Sequence, residues 1–218
     1  MKKLSIVKFT LDKFINTNIH IGASSKKRNA NNLNYIYITN QKFDLINLNY
    51  TIQTLKTILP TIKDITSKNG NVLTILNLSS EAFALQIKNL HLNYRQRILC
   101  FWKPSLLSNF KEYKRQHYNS DTNLWHLPNF IVCLTTKYYA YFKPEIKSLS
   151  IPCATLEDTT TNQNNFLYSL PGNIKNAKST LFFIKLIQNA LEQGFIKRIL
   201  TFSKQTLKTN AIKKNYKY

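Results

Sequence analysis

Asn69-Gly70-Asn71-Val72-Leu73-Thr74-Ile75-Leu76 decides the fold. The Asn-Gly pair marks a turn, and the run behind it is apolar save for one threonine. A strand wet on one face alternates apolar and polar residues, whereas an unbroken run suits a strand covered on both faces, as in a parallel sheet. Four similar runs follow: Arg97-Ile98-Leu99-Cys100-Phe101, Asn129-Phe130-Ile131-Val132-Cys133-Leu134, Ile151-Pro152-Cys153-Ala154-Thr155-Leu156 and the shorter Phe166-Leu167-Tyr168-Ser169-Leu170.

Helical spacing fills the gaps between these runs. Ile52, Leu55, Leu59, Ile62 and Ile65 keep a three-and-four interval behind Asn47, a suitable N-cap, and Pro60 is expected to kink that helix. Ser79-Ser80-Glu81 opens a second helix carrying Phe83, Ile87 and Leu90. Ala177, Leu181, Ile184 and Leu191 mark a third, with a break expected near Gly194. Strand and helix alternate, which predicts an α/β protein: a flavodoxin-like three-layer domain with a mainly parallel five-stranded sheet. One domain is expected over residues 1–203, beginning with a helix and basic loop over 1–34. A basic tail follows over 204–218.

Charge narrows the choice of partners. Lys and Arg number 31 against 10 Asp and Glu, a formal net charge of +21, so a compact monomer repels itself until a polyanion neutralises it. Nucleic acid answers that need best, and an anionic membrane surface is the weaker alternative. With 43% hydrophobic residues the chain is a folded globule rather than a disordered polycation. No stretch approaches the eighteen or so apolar residues of a membrane span, and the basic start lacks the apolar centre of a secretory signal. Abundant Ile, Asn, Lys and Phe, with only four Gly and one Met, point to an AT-rich gene.

The chemistry-bearing residues do not assemble into a reactive centre. Gly22, Gly70, Gly172 and Gly194 are too dispersed for a phosphate-cradling loop, which argues against a nucleotide enzyme. Cys100, Cys133 and Cys153 sit in or beside apolar runs without C-x-x-C spacing, so buried reduced thiols are expected, not a disulfide or a zinc site. His91, His117 and His126 lack ligand spacing with them. Glu157-Asp158 ends a strand where α/β enzymes place carboxylates, but no nucleophile accompanies the pair, and a turn or capping role is the better reading. No catalytic residue, metal or cofactor is therefore expected, and no small-molecule substrate.

Four patches in fixed order carry a resemblance: Ile19-His20-Ile21-Gly22, Phe43-Asp44-Leu45-Ile46-Asn47-Leu48, Trp102 followed by Leu107-Ser108-Asn109-Phe110-Lys111, and Ile151-Pro152 with Leu170-Pro171-Gly172-Asn173. From about residue 10 to residue 193 the chain resembles the small-subunit ribosomal protein S-two family, in its bacterial and organellar form. That resemblance implies a structural, non-enzymatic protein that binds ribosomal RNA and neighbouring proteins between head and body of the small subunit. It also implies that Ile19–Gly22 ends an N-terminal helix and opens a basic loop. Departures are visible too. Ala23 replaces a second histidine, Pro104-Ser105 replaces a glycine pair, and residues 111–128 stand where the bacterial form inserts a long helical hairpin. The hairpin is thus lost or reduced.

Candidate RNA contacts follow from charge in polar segments, read in the light of the resemblance. Lys26, Lys27 and Arg28 lie in the basic loop, Arg supplying a forked donor and Lys a point charge. Residues 88–118 hold seven basic residues against one acid, from which Arg95, Arg97, Lys103, Lys111, Lys114 and Arg115 are selected. Trp102 and Phe110, between them, read as core rather than stacking platforms. Lys213 and Lys214 in the tail complete the set. The expected role is a structural constituent of a mitochondrial small ribosomal subunit, with the chloroplast as second choice for the compartment. Competing readings are a non-ribosomal RNA-binding or interaction module and an α/β nucleotide-dependent enzyme.

Overall fold

The computed structural model describes residues 11–77, 96–100, 102–112, 126–136, 139–161 and 166–215, with backbone alone for 96–97 and 204–215. The chain opens with α1 (Leu11–Asn16), two 3-10 turns at Ser25–Lys27 and Ala30–Tyr35, and an antiparallel hairpin of β1 (Ile36–Thr39) and β2 (Asp44–Ile46). Then come α2 (Leu48–Ser67), β3 (Val72–Ile75), β4 (Gln96–Leu99) and β5 (Phe130–Cys133). α3 (Tyr139–Ser148), β6 (Cys153–Glu157), β7 (Tyr168–Pro171) and α4 (Ala177–Asn215) follow. The helix expected over 79–91 lies outside the described residues.

The five strands β3 to β7 stand in the order β4-β3-β5-β6-β7, and every neighbouring pair is parallel. This is the flavodoxin-like order, as the apolar runs predict. Every position of β3, β5 and β6 is buried because both faces of the sheet are covered. Val72, Phe130, Val132, Ala154 and Leu156 point to one side, against Leu55, Ile58 and Ile62 of α2 and Phe183, Ile184, Ile187 and Leu191 of α4. Leu73, Ile75, Ile131, Cys133 and Cys153 point to the other, against Trp102, Leu106, Leu107 and the Phe142 and Ile146 of α3. Each such large apolar side chain contributes roughly 1.5–3 kcal/mol by leaving water.

α2 begins as expected, with the Asn47 side chain accepting from the Asn49 amide, and it continues through exposed Pro60. α3 has no counterpart in the sequence reading. Tyr139, Phe142 and Ile146 do keep helical spacing, but Pro144 and flanking lysines obscure it.

Gly194 does not break α4, which corrects the expectation. The helix runs on to Asn215, so residues 204–215 are helical and not irregular. The glycine serves close approach instead: a Cβ there would lie 2.5 Å from the Lys63 carbonyl oxygen and 2.7 Å from the Thr66 Cβ of α2. Gly194→Ala therefore sets a gain of about 1 kcal/mol in helix propensity against an overpacking cost of about 1–3 kcal/mol. Urea denaturation should show the variant less stable than the parent. A more stable variant would mean that α2 and α4 are not pressed together at this point.

Candidate nucleic-acid interface

The basic loop is held by its neighbours at the carboxyl end of β6. Gly22 N donates to the Asp44 carbonyl at 2.8 Å, and Asp44 N returns a bond to the Ala23 carbonyl at 3.0 Å. Ala23 N donates to Thr159 Oγ1 at 2.9 Å, and Asn29 N to the Thr159 carbonyl at 2.9 Å. Asn32, fully buried, points its amide at the carbonyls of Asp158, Thr159 and Thr161, at 3.2, 3.0 and 2.6 Å. Gly22 is required by contact: an added Cβ would stand 2.6 Å from Thr159 Cγ2 and 2.9 Å from the Asp44 carbonyl oxygen.

On this frame Lys26, Lys27 and Arg28 are all exposed, and the Arg28 side chain reaches back to the hairpin. Its guanidinium donates to Thr39 Oγ1 at 3.0 Å and lies 3.7 Å from Asp44 Oδ1. Asp44 is fully buried, and its carboxylate oxygens accept no hydrogen bond among the described residues, so the Arg28 charge is what offsets that burial. The triplet thus divides into two lysines and one partly exposed arginine tied to Thr39 and Asp44. Sequence shows the charges but not the partner.

The second basic segment is anchored by a residue that sequence reasoning missed. Glu145, buried in α3, accepts Ser105 N at 2.6 Å and Leu107 N at 2.8 Å, with Trp102 Nε1 and Ser108 N both at 3.4 Å. Charged acceptors of this kind hold amides firmly. Ser105 adopts φ 63°, a left-handed backbone that glycine takes without strain, and the Glu145 carboxylate pins it there. Trp102 is buried against Phe142, as core.

Lys103 and Lys111 are both exposed, at opposite ends of this loop. Lys103 follows the carboxyl end of β4, whereas Phe110, next to Lys111, borders a cavity with Asn71 and Pro128 at the amino end of the sheet. Arg97 lies on β4, an edge strand, and Lys213 and Lys214 fall in the last turns of α4. Arg95, Lys114 and Arg115 lie outside the described residues. Among the described residues the candidate contacts are therefore spread over several regions.

Neither carboxylate at the end of β6 faces solvent. Glu157 is fully buried, its Oε1 accepting the Thr155 hydroxyl and its Oε2 the Ser169 hydroxyl, each at 2.7 Å. Burial raises its carboxyl above the ordinary range, and does the same to Asp158. Asp158 Oδ1 accepts Thr159 N at 2.7 Å, a turn role. His20 is half-buried, and burial lowers its imidazole. The free thiols of Cys133 and Cys153 are buried and pushed upward by that burial. Among the described residues, no three His, Cys, Asp or Glu side chains are grouped to hold a metal ion.

Residues 14–123 and 105–194 match the family model described as Ribosomal protein S2. The two matches overlap over 105–123. A small ribosomal subunit protein uS2 from Ehrlichia chaffeensis is 24% identical over 222 residues, covering 86% of this chain and 77% of that protein. A small ribosomal subunit protein uS2m from Acanthamoeba castellanii is 26% identical over 167 residues, covering 74% of this chain and 50% of that protein. The uS2 of Karelsulcia muelleri is 20% identical over 218 residues, covering 84% and 98%.

Glu157 yields a pH prediction. Its raised folded-state pKa means that the folded form keeps a proton which the unfolded form has already released. Its contribution to stability is therefore fully present below the unfolded carboxylate value and declines as pH rises through the folded one. In Glu157→Gln the amide oxygen accepts from Thr155 and the amide nitrogen donates to Ser169, with no titration. The variant should match the parent near pH 4 and exceed it in urea-denaturation midpoint at pH 7. A variant no more stable than the parent at pH 7 would show that the folded form does not keep Glu157 protonated.

Proposed function

From the premise that this chain belongs to the ribosomal protein S2 family, we propose that it is a structural constituent of a mitochondrial small ribosomal subunit, bound there to ribosomal RNA and neighbouring proteins. The family match carries the small-subunit role. The relative from Acanthamoeba castellanii, named as a uS2m, supports the mitochondrial assignment together with the AT-rich composition, while bacterial uS2 proteins are similarly close. The charge of +21 supports RNA as the polyanion that relieves self-repulsion.

The protein acts as a wedge without chemistry of its own. Both carboxylates at the end of β6 are committed to internal hydrogen bonds, and the basic loop fills the space beside them. Lys26 and Lys27 make the phosphate contacts, fixing register without reading bases. Lys103 and Lys111 add further attraction from the anchored loop. Among the described residues no helix is long and apolar enough to cross a membrane.

Sucrose-gradient sedimentation of native organelle extract tests the assignment: the protein should travel with the intact small subunit, and recovery in light fractions alone would overturn it. The loop has its own test. Replacing Lys26 and Lys27 by Ala should leave stability unchanged and reduce the slope of log affinity for small-subunit RNA against log salt by about 2. Arg28→Ala should instead lower stability by about 1–3 kcal/mol, since it strips a partly exposed partner from a buried carboxylate. An unchanged slope in the double-lysine variant would remove this loop from the interface.

A further inference from the structure

α4 continues past the body that holds it. Phe183, Ile184, Ile187, Ala190 and Leu191 are buried, and farther on Lys197 Nζ meets Asp64 Oδ1 at 2.7 Å while Arg198 donates to Asn69 Oδ1. Around and beyond those ties large apolar side chains face outward. Phe195 is 44% exposed, Ile196 37%, Ile199 51% and Leu200 52%. The backbone nevertheless stays helical from Ile199 to Asn215, roughly 25 Å at the helical rise. An isolated helix of that length is marginal in water, so covering its apolar side is what would stabilise it.

We propose that this outward face of α4, built on Phe195, Ile196, Ile199 and Leu200, docks a neighbouring protein of the small subunit that presents an apolar ridge bordered by carboxylates. That the neighbour is a small-subunit protein rests on the function proposed above. Two observations define its chemistry. Phe195, Ile199 and Phe202, with Arg198 and Ser203, enclose a shallow depression of about 500 Å³, a concave surface that receives a projecting side chain. Beyond Lys197, which Asp64 neutralises, the sequence carries Arg198, Lys204, Lys208, Lys213, Lys214 and Lys217 and no acid, so the complement is acidic.

RNA meets only half of this description, because phosphates satisfy the cations and leave Ile199 and Leu200 uncovered. A bilayer takes convex apolar ridges rather than a depression. A protein ridge with alternating apolar and acidic residues, such as one face of a helix, meets both requirements.

The test places p-benzoylphenylalanine at position Ile199 of the full chain, in cells that make it, followed by irradiation, gradient isolation of the small subunit and mass spectrometry of the adducts. The expected result is an adduct to one ribosomal protein, at a peptide where apolar residues lie beside Asp or Glu. Adding Leu200→Glu should reduce its yield about tenfold, as loss of a central apolar contact does. An adduct to RNA, to lipid or to this chain itself, or none at all from a chain that sediments with the subunit, overturns the docking proposal and leaves the ribosomal reading standing. Failure of the unlabelled chain to sediment with the subunit overturns both.

Discussion

Thr159 and buried Asn32 join the N-terminal segment to the sheet, and the presentation of the basic loop depends on that junction. The Thr159 hydroxyl accepts the Ala23 amide, and its carbonyl accepts both the Asn29 amide and the Asn32 side chain. A buried amide nitrogen donating to several carbonyls is costly to pull away, since it would lose those partners in a dry environment. The carboxyl edge of a parallel α/β sheet is where such folds bind ligands. Beside β6 this edge is occupied by the chain's own backbone, so the same architecture becomes a support for a cationic loop.

Charge distribution follows from that support. Cations outnumber acids about threefold, and the buried acids are occupied internally: Asp44 by Arg28, Glu145 by four donors of the 102–108 loop, the Trp102 indole among them, Glu157 by two hydroxyls. Among the described residues, Lys26, Lys27 and Lys103 form no ion pair that would mute their field. A surface of this kind draws a polyanion strongly and with marked salt dependence.

Legibility in the sequence tracked how local each cause is. The runs Val72–Ile75 and Phe130–Cys133 announce strands buried on both faces, and Asn47 with its three-and-four spacing announces α2, because propensity and burial act there on the same few residues. Partners distant in sequence were hidden. Gly194 reads as a helix breaker when only Lys63 and Thr66, far upstream, are considered absent; with them present it is a contact point. Arg28 reads like its lysine neighbours until Asp44 is placed beside it. Glu145 looks like an exposed acid next to Pro144, and Asn32 like one more polar residue in an Asn-rich loop, since nothing local reveals that either is buried. The Ser105 turn is similar: a serine at positive φ is legible only once its carboxylate anchor is seen.

The most direct measurement is a cryo-electron microscopy map of the native small subunit at side-chain resolution. The ammonium groups of Lys26 and Lys27 should lie within salt-bridge distance of ribosomal RNA phosphates, with the Asn32–Thr159 junction intact behind them. A map in which that loop faces open solvent while the protein sits elsewhere on the particle would contradict the central claim.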